Sequence, residues 1–319
     1  MENLERFDVV GLGVSTLDFL QIVDELPGDE TVQKAHKSLL QGGGPVATAM
    51  VTLARLGSRT AMIDKVGDDC WGRLILDGFR EENVATDWIL TESCATSSIS
   101  TILVRRRDGA RSITYSPGNA GELTPNELPE KVIANARILH LNGRHFDASL
   151  MAARIARAHG VKVSFDGGAH RFSEGIGELV RLADICIVAR DFAFSFSGTK
   201  DEVTAGRCML DAGPEIVVIT AGAEGSLILA KGIESFHRPA FPVDKPVDTT
   251  GAGDAYHGAF LHGLLKGLPL SGCAALASAV AAMNILMLGG RSGLPSLEEA
   301  DRFLARKVRS VLDGNSTAI

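Results

Sequence analysis

Short apolar runs alternate with helix-length segments along most of this chain, and this alternation constrains its fold most strongly. Six runs have the length and composition of buried strands: residues 7–14, 60–66, 136–142, 161–166, 183–189 and 215–220. Helix-length segments lie between them, such as 44–57 and 147–160, and the second ends at a glycine, a typical helix C-terminal residue. The rhythm predicts an α/β fold with a doubly wound, mostly parallel sheet flanked by helices.

Two regions break this rhythm because they contain strand patterns with no helix between them. They are residues 19–41 and 97–117, and the second predicts a hairpin that turns at Asp108-Gly109. We expect a small β-sheet lid built from 19–41 and 97–117. The α/β core then comprises residues 1–18, 42–96 and 118–312, and residues 313–319 form a flexible tail.

Composition excludes some classes of partner. The net charge is −7, whereas binding to nucleic acid or to a membrane surface needs a basic face. The five cysteines form no CxxC pair, which is typical of reduced thiols. The N-terminus does not resemble a signal peptide, and the apolar stretch 273–288 is too short and too polar to span a bilayer. We therefore expect a cytoplasmic protein.

The stretch VDTTGAGDAYHGAF, residues 247–260, carries the clearest chemical signal. Gly251, Ala252 and Gly253 leave backbone N–H groups uncovered just before a predicted helix, which is a favourable place for an anion. Asp254 would repel that anion unless it removes a proton from an attacking hydroxyl. An ordinary helix-capping Asp after a glycine turn explains the residues equally well.

This stretch closely resembles the C-terminal signature of the PfkB/ribokinase family of sugar kinases. Residues 42–57, 64–72 and 218–228 resemble further family segments in the same order, so the resemblance covers essentially the whole chain. It implies a ribokinase-like fold with a β lid, ATP and Mg²⁺ as cofactors, and phosphorylation of a sugar. It also implies that Asp254 is the general base and that the amides of Gly251, Ala252 and Gly253 form the anion hole.

The resemblance assigns further residues to three groups. Sugar-binding candidates are Asp18, Gly43, Gly44, Thr48 and Arg144, and nucleotide-binding candidates are Thr220, Gly222, Gly225 and Asn284. Asp248, Thr250, Gly289 and Gly293 lie near the family's monovalent-cation loop, so K⁺ is a further candidate ligand. Ordinary strand-end and turn geometry remain open alternatives for Asp18, for Arg144 and for the glycines.

The chain departs from the family pattern at several positions. Thr48 replaces the usual Asn of the GGxxxN signature, and the NxxE motif associated with magnesium is absent because Ala189 and Phe192 occupy its positions. The metal must then be held mainly by ATP phosphates and waters. Asp166, at the end of a predicted strand, is the candidate protein ligand.

These departures resemble the sulfofructose kinase subgroup, but only part of its sulfonate-binding set is kept. Arg144 matches, whereas the lysine and asparagine of that set fall on Val32 and Thr114. A pocket with less positive charge than a sulfonate requires predicts a neutral or weakly anionic polyol.

The predicted function is ATP-dependent phosphorylation of a primary hydroxyl of a ketose or related furanose. Two alternatives stay open: a nucleoside kinase of the same fold, and a non-catalytic protein that senses sugar or nucleotide. Intact Gly251, Gly253 and Asp254 disfavour the sensor. We expect His257 to be a packed helix residue, and lid edges often pair, which predicts a homodimer through the lid.

Overall fold

The computed structural model of the protein describes residues 6–30, 32–173 and 175–312. Its strands are β1 (Val9–Leu12), β2 (Thr16–Val23), β3 (Lys37–Gly43), β4 (Thr60–Gly67), β5 (Val84–Glu92), β6 (Ile99–Arg105), β7 (Arg111–Ser116), β8 (Ile138–Leu141), β9 (Lys162–Gly167), β10 (Ile185–Ala189), β11 (Ile216–Thr220), β12 (Ser226–Ala230) and β13 (Ile233–Arg238). Its helices are α1 (Pro45–Arg55), α2 (Cys70–Glu81), α3 (Glu130–Ala134), α4 (Phe146–Ala158), α5 (Ile176–Leu182), α6 (Arg190–Ser197), α7 (Glu202–Ala212), α8 (Ala252–Leu265), α9 (Leu270–Asn284) and α10 (Leu297–Leu312). The predicted tail 313–319 lies outside the described residues.

The main sheet has the order β13-β12-β11-β10-β9-β8-β1-β4-β5. Strands from β11 to β5 run parallel, and β12 and β13 add two antiparallel pairings at one edge. Because β1 pairs with both β4 and β8, the strand order reverses there. Such a switch point opens a crevice beyond the carboxyl ends of the strands, where ligands bind. The predicted doubly wound, mostly parallel sheet is confirmed.

Helices cover both faces of this sheet because its strands alternate between two cores. Val9 of β1 belongs to a core that includes α1, α8 and α9. Val10 and Leu12 of the same strand belong to the opposite core, with α4, α5 and α6. The predicted glycine end of α4 is present, since Gly160 follows the helix with φ 71°. Within the described ranges, no helix combines the length and apolar character that crossing a bilayer requires.

A separate small sheet has the order β3-β2-β6-β7. The β6–β7 hairpin turns as predicted: Gly109 has φ 69°, and its N–H donates to the Arg105 carbonyl at 2.8 Å. Leu20 and Ile102 on one face are buried against Leu288 of the main body. The predicted small sheet is confirmed, although β2 starts at Thr16 and β3 ends at Gly43, beyond the range 19–41. The division into core and lid segments stays a prediction.

Candidate active site

The loop before α8 is shaped by glycine. Gly251 caps the helix with φ 73°, and a β-carbon there would lie 2.7 Å from Gly290 backbone atoms, so no larger residue fits. At Gly253, which is exposed, a β-carbon would meet no atom of the described residues within 4 Å outside its own helix turn, so this side of the first turn is open. The first N–H groups of a helix have no acceptor within the helix, and its dipole favours negative charge. The loop therefore has the geometry of an anion site.

Asp254 lies in this first turn and is half-buried. Burial raises the pKa of its carboxyl to about 7, and the nearby negative charges of Asp166 and Asp18 raise it further, whereas Arg171 and Arg111 oppose the shift. A carboxylate whose pKa lies near neutrality is matched to proton transfer at neutral pH. Asp18 of β2 and Asp166 of β9 are thus among the charges that act on the Asp254 carboxyl.

Asp248 holds the loop in place from inside the protein. Asp248 is fully buried. One of its carboxylate oxygens accepts hydrogen bonds from the Thr250 N–H at 2.9 Å and from the Thr250 hydroxyl at 2.7 Å. The other oxygen accepts a hydrogen bond from the Gly289 N–H at 2.9 Å. Three of the four residues assigned to a monovalent cation thus lie together. A cation there stays a prediction, because these contacts are also those of a structural brace.

Asn284, a nucleotide-binding candidate, lies at the end of α9 next to the loop before α8. Its side chain is fully buried, and its amide donates to the carbonyls of Gly290, at 3.0 Å, and Thr250, at 3.4 Å. Gly293 packs so closely on Asn284 that a β-carbon would overlap its backbone. The amide of Asn284 thus braces the loop before α8, while its Oδ1 has no hydrogen-bond partner among the described residues. The prediction that Asn284 contacts the nucleotide stays a prediction.

Asp18 lies on β2 against the glycines at the end of β3. It is buried, and its carboxylate accepts the Thr16 hydroxyl at 2.8 Å. Burial raises its pKa, while the Thr16 hydrogen bond and the charge of Arg291 oppose that rise. A β-carbon at Gly43 would overlap the Asp18 carboxylate. Gly44 has φ 93°, and a β-carbon there would overlap the Val14 carbonyl oxygen. Both glycines are thus required by close neighbours.

Thr48 and Arg144 lie on different sides of this region. Thr48 is buried in α1, and its hydroxyl lies 3.3 Å from Nε of Arg291. Arg144 is exposed in the loop after β8, where its guanidinium donates to the Tyr115 hydroxyl of the small sheet at 3.3 Å. The guanidinium carbon also lies 5.9 Å from the centre of the Tyr115 ring. Arg144 therefore links the main body to the inner face of the small sheet.

Asp166 ends β9 beside two buried histidines. Its Oδ1 lies 3.9 Å from His257 Nε2, beyond hydrogen-bond distance, and ligand atoms of Asp166, His140 and His257 all lie within 4.8 Å of one another. Burial lowers the pKa of His140 to about 3 and also lowers that of His257, so both rings are neutral at neutral pH. Carboxylate oxygens suit Mg²⁺ and imidazoles do not. Asp166 alone therefore fits Mg²⁺, and His257 is buried as predicted.

The nucleotide candidates cluster after β11. Thr220 ends that strand, and its hydroxyl donates to the Val188 carbonyl at 3.2 Å. Gly222, with φ 58°, opens a short 3-10 turn (Gly222–Glu224), and a β-carbon there would meet nothing within 4 Å. Gly225, with φ 106°, packs on the backbone of Arg238, so turn geometry accounts for it. The open surface at Gly222 is the part that can receive a ligand.

Sequence reasoning missed several polar residues here. Arg111 of β7 donates to the Thr249 hydroxyl, and Arg171 follows β9; both carry positive charge towards Asp254. Asn142 directly follows β8 and is buried, yet its Nδ2 has no hydrogen-bond partner among the described residues. Arg291 is buried between Gly43 and Thr48. In the sequence, only the position of each of these residues after a strand or a turn indicates a place near the site, and this indication is weak.

The geometry is that of an anion site in a helix turn that also carries the Asp254 carboxylate. Comparison with known proteins shows the family. The model for the pfkB family of carbohydrate kinases matches residues 6–297. The chain belongs to the PfkB family of carbohydrate kinases. The predicted family and enzyme class, a phosphotransferase with an alcohol acceptor, are thereby confirmed.

Individual relatives agree with this assignment. An uncharacterized sugar kinase from Archaeoglobus fulgidus is 33% identical over 251 residues, which cover 76% of this chain and 98% of the relative. Aminoimidazole riboside kinase from Salmonella typhimurium is 31% identical over 309 residues, covering 89% and 94%. A ribokinase structure from Thermotoga maritima superposes with a TM-score of 0.81 at 26% identity, covering 94% and 99%. The sulfofructose kinase subgroup is not confirmed.

Proposed function

We propose that this PfkB-family kinase transfers a phosphoryl group from ATP to a primary hydroxyl of a sugar, a ketose or a related furanose. The observation that carries the proposal is the half-buried Asp254 in the open first turn of α8, with the Asp18 carboxylate close enough to raise its pKa. A base, an anion site and a polar wall for hydroxyls then surround one space.

In the proposed reaction Asp254 removes the proton of the attacking hydroxyl. The hydroxyl oxygen forms a bond to the γ-phosphorus as the bond from that phosphorus to ADP breaks, and the products are a sugar phosphate, ADP and a proton released by Asp254. The amides of Gly251, Ala252 and Gly253 stabilise the charge on the transferred group. Arg111 adds positive charge on the same side.

The cofactors would be held by few protein groups. Gly222 and Thr220 line the proposed nucleotide surface, with Gly225 shaping the turn. Asp166 would contribute a carboxylate to Mg²⁺, which would supply positive charge to offset that of the phosphates. A K⁺ ion would lie near Asp248 and Gly289, where it would stabilise the anion-hole loop.

The sugar would lie against Asp18, Gly43, Gly44 and Thr48, with Arg144 at its far end. Asp18 accepts bonds from sugar hydroxyls, and the glycines allow the ring to approach the backbone. Arg144 is exposed and already bonded to Tyr115. A guanidinium engaged in this way supports a neutral or weakly anionic polyol rather than a sulfonate.

The proposal is tested by measuring ADP formation with a panel of phosphate-free sugars and ribonucleosides, with Asp254→Asn as the matched blank. We expect one class of ketose or furanose to raise ADP formation well above the blank and to yield a sugar phosphate. If no sugar in the panel does so, the proposed reaction is wrong.

A nucleoside kinase is the second candidate. A relative at 31% identity is named aminoimidazole riboside kinase, and Tyr115 places a 41% exposed ring beside Arg144, where a base could stack. A strong preference for a riboside in the same panel would favour this candidate over the sugar kinase.

We also propose that two copies pair through the outer face of the small sheet. Phe19 and Leu40 are register partners on that face and are 40% and 46% exposed. Adjacent apolar side chains on an open sheet favour pairing with a second copy. A dimeric mass by light scattering that becomes monomeric in Leu40→Lys would support the pairing, and a monomeric wild-type protein would refute it.

A further inference from the structure

Arg291 is a charged residue in a place where charge is costly. It lies in the loop after α9 and is only 3% exposed. Burial lowers the pKa of its guanidinium to about 10, so it stays protonated at neutral pH, supported by the charges of Asp18, Glu82 and Asp254. A buried cation costs several kcal/mol of desolvation unless its bonds are good. Such a residue therefore calls for an explanation beyond packing.

The bonds of Arg291 reach two of the proposed sugar-binding groups. Its Nη2 donates to the Gly43 carbonyl at 2.9 Å, and its Nε lies 3.3 Å from the Thr48 hydroxyl oxygen. The Arg291 N–H donates to Gln41 Oε1 at 3.0 Å, so the end of β3 is held at two points. Because the Thr48 hydroxyl oxygen accepts a hydrogen bond from Arg291 Nε, the hydroxyl proton remains available for donation to a ligand.

The same loop also supports the anion hole. Gly290, the neighbour of Arg291, packs against Gly251 so closely that a β-carbon on Gly251 would overlap it, and its carbonyl accepts the Asn284 amide. Gln41 Nε2 donates to the Ser292 hydroxyl at 3.1 Å. One short loop therefore touches both the sugar side and the phosphate side of the site.

Arg291 accounts for one of the three consecutive glycines at the end of β3. A β-carbon at Gly42 would overlap the Arg291 guanidinium, one at Gly43 the Asp18 carboxylate, and one at Gly44 the Val14 carbonyl. Each glycine makes room for a different neighbour. Gly42 is thus needed for Arg291 to be where it is.

We propose that Arg291 is a positioning residue for the phosphoryl acceptor: it fixes the Gly43 carbonyl and the donating Thr48 hydroxyl and ties both to the anion-hole loop. The inference rests on the proposed sugar kinase function. In this chain, Thr48 with Arg291 behind it supplies the polar group that the family's usual Asn would supply.

The test compares Arg291→Gln and Arg291→Lys with Arg55→Gln. Arg55 is a matched control because its guanidinium holds the same loop, through the carbonyls of Arg291 and Leu294 at 3.0 and 2.7 Å, but bonds neither Gly43 nor Thr48. We expect the KM for the sugar to rise about tenfold or more in Arg291→Gln, as lost charge-assisted bonds predict. The KM for ATP should change little, and Arg291→Lys should recover part of the loss.

Equal effects of Arg291→Gln and Arg55→Gln on the sugar KM would overturn the proposal, because loop stability alone would then explain both. If the wild-type protein phosphorylates no sugar, the proposed function itself is wrong. If the wild-type protein phosphorylates a sugar and Arg291→Gln leaves the KM for that sugar unaltered, only the proposed role of Arg291 is wrong.

A second measurement needs no substrate and covers the case in which Arg291→Gln folds poorly. Gly42→Ala should displace the guanidinium and lower the Tm of the wild-type protein, but have a much smaller effect in the Arg291→Lys or Arg291→Gln background. Neighbours that share one contact are non-additive in this way. Additive changes in Tm would contradict the contact on which the proposal depends.

Discussion

The two halves of the proposed site are built in opposite ways. The phosphate half is one continuous stretch, Asp248 to Asp254, whose shape follows from a glycine turn and the start of α8. The sugar half is assembled from separate elements: Asp18 on β2, Gly43 at the end of β3, Thr48 on α1 and Arg144 after β8. A local turn can be read along the chain, whereas an assembled pocket depends on how the sheets pack. Changes in the first half should therefore reduce turnover, and changes in the second should weaken sugar binding.

The sharpest test of the phosphate half is Asp254→Asn. Loss of a general base should reduce kcat by roughly 10²–10⁴-fold while ATP affinity is kept. Single-turnover rates and direct ATP binding measure the two effects separately. Asp87→Asn, an exposed carboxylate on β5, is the control and should be near wild type. An Asp254→Asn enzyme of near wild-type turnover would remove Asp254 from the chemistry.

Gly253→Val should come next in size. A β-carbon at Gly253 meets no atom within 4 Å, so a side chain there fits the fold but covers the open amides. Removing one oxyanion-type donor costs roughly 10²–10³-fold in kcat. Gly78→Val, which is also helical with open space around its β-carbon, controls for backbone effects. If sugar affinity collapsed while kcat at saturation held, Gly253 would belong to the sugar half instead.

Arg144→Ala tests the sugar half. Loss of a charge-assisted bond worth ~1.5 kcal/mol should raise the sugar KM about tenfold with little change in kcat. Tyr115→Phe keeps the guanidinium and removes the Tyr115 hydroxyl, which bonds Arg144 and Ser98 at 3.3 Å each, so it should have a smaller effect. Competition between fructose and sulfofructose as substrates of the wild-type enzyme completes the test, and a large preference for sulfofructose would refute a neutral substrate. An unchanged sugar KM in Arg144→Ala would show that Arg144 does not line the sugar pocket.

The pH dependence of kcat/KM should report the protonation of Asp254 in the phosphate half of the site. Because its pKa is raised to about 7, the carboxylate is protonated and inactive as a base in acid. We expect kcat/KM to fall about tenfold per pH unit below that value and to level off above it. The residual activity of Asp254→Asn should lack this dependence. A wild-type profile that stays flat from pH 5.5 to 8 would contradict the assignment.

The smallest expected effect is on stability. A carboxyl whose pKa is higher in the folded than in the unfolded state stabilises the fold at low pH, and this contribution is lost as pH rises from its ordinary value of 3.8 to about 7. Asp254→Asn should therefore melt a few degrees above wild type at pH 8, since about 1 kcal/mol shifts the Tm of a large domain by roughly 2–4 °C. The gain should shrink as pH is lowered towards 4. A lower Tm for the variant at pH 8 would show that Asp254 is structurally stabilising.

Most of the main sheet was predictable because its strands are buried on both faces. Residues 185–189 and 216–220, for example, form apolar runs flanked by helical segments. β5, β12 and β13 were not among the predicted strands. β13 is an edge strand with exposed polar residues, and Thr86 and Asp87 interrupt the apolar residues of β5, so neither is a continuous apolar run along its length. β12 is buried and mostly apolar but only five residues long. The small sheet was found because its hairpin has a local turn signal.

By itself the sequence determined the α/β class and the glycine turn before α8, because strand–helix alternation and a glycine turn before a helix act over short distances. It also pointed to Asp254, which lies just after that turn. Tertiary structure decided that the Asn284 amide donates to the Gly290 carbonyl, and that Arg291 reaches Gly43 and Thr48 from about 250 residues further along the chain. Burial and long-range hydrogen bonds depend on which elements pack together, and no local pattern of residues encodes that choice.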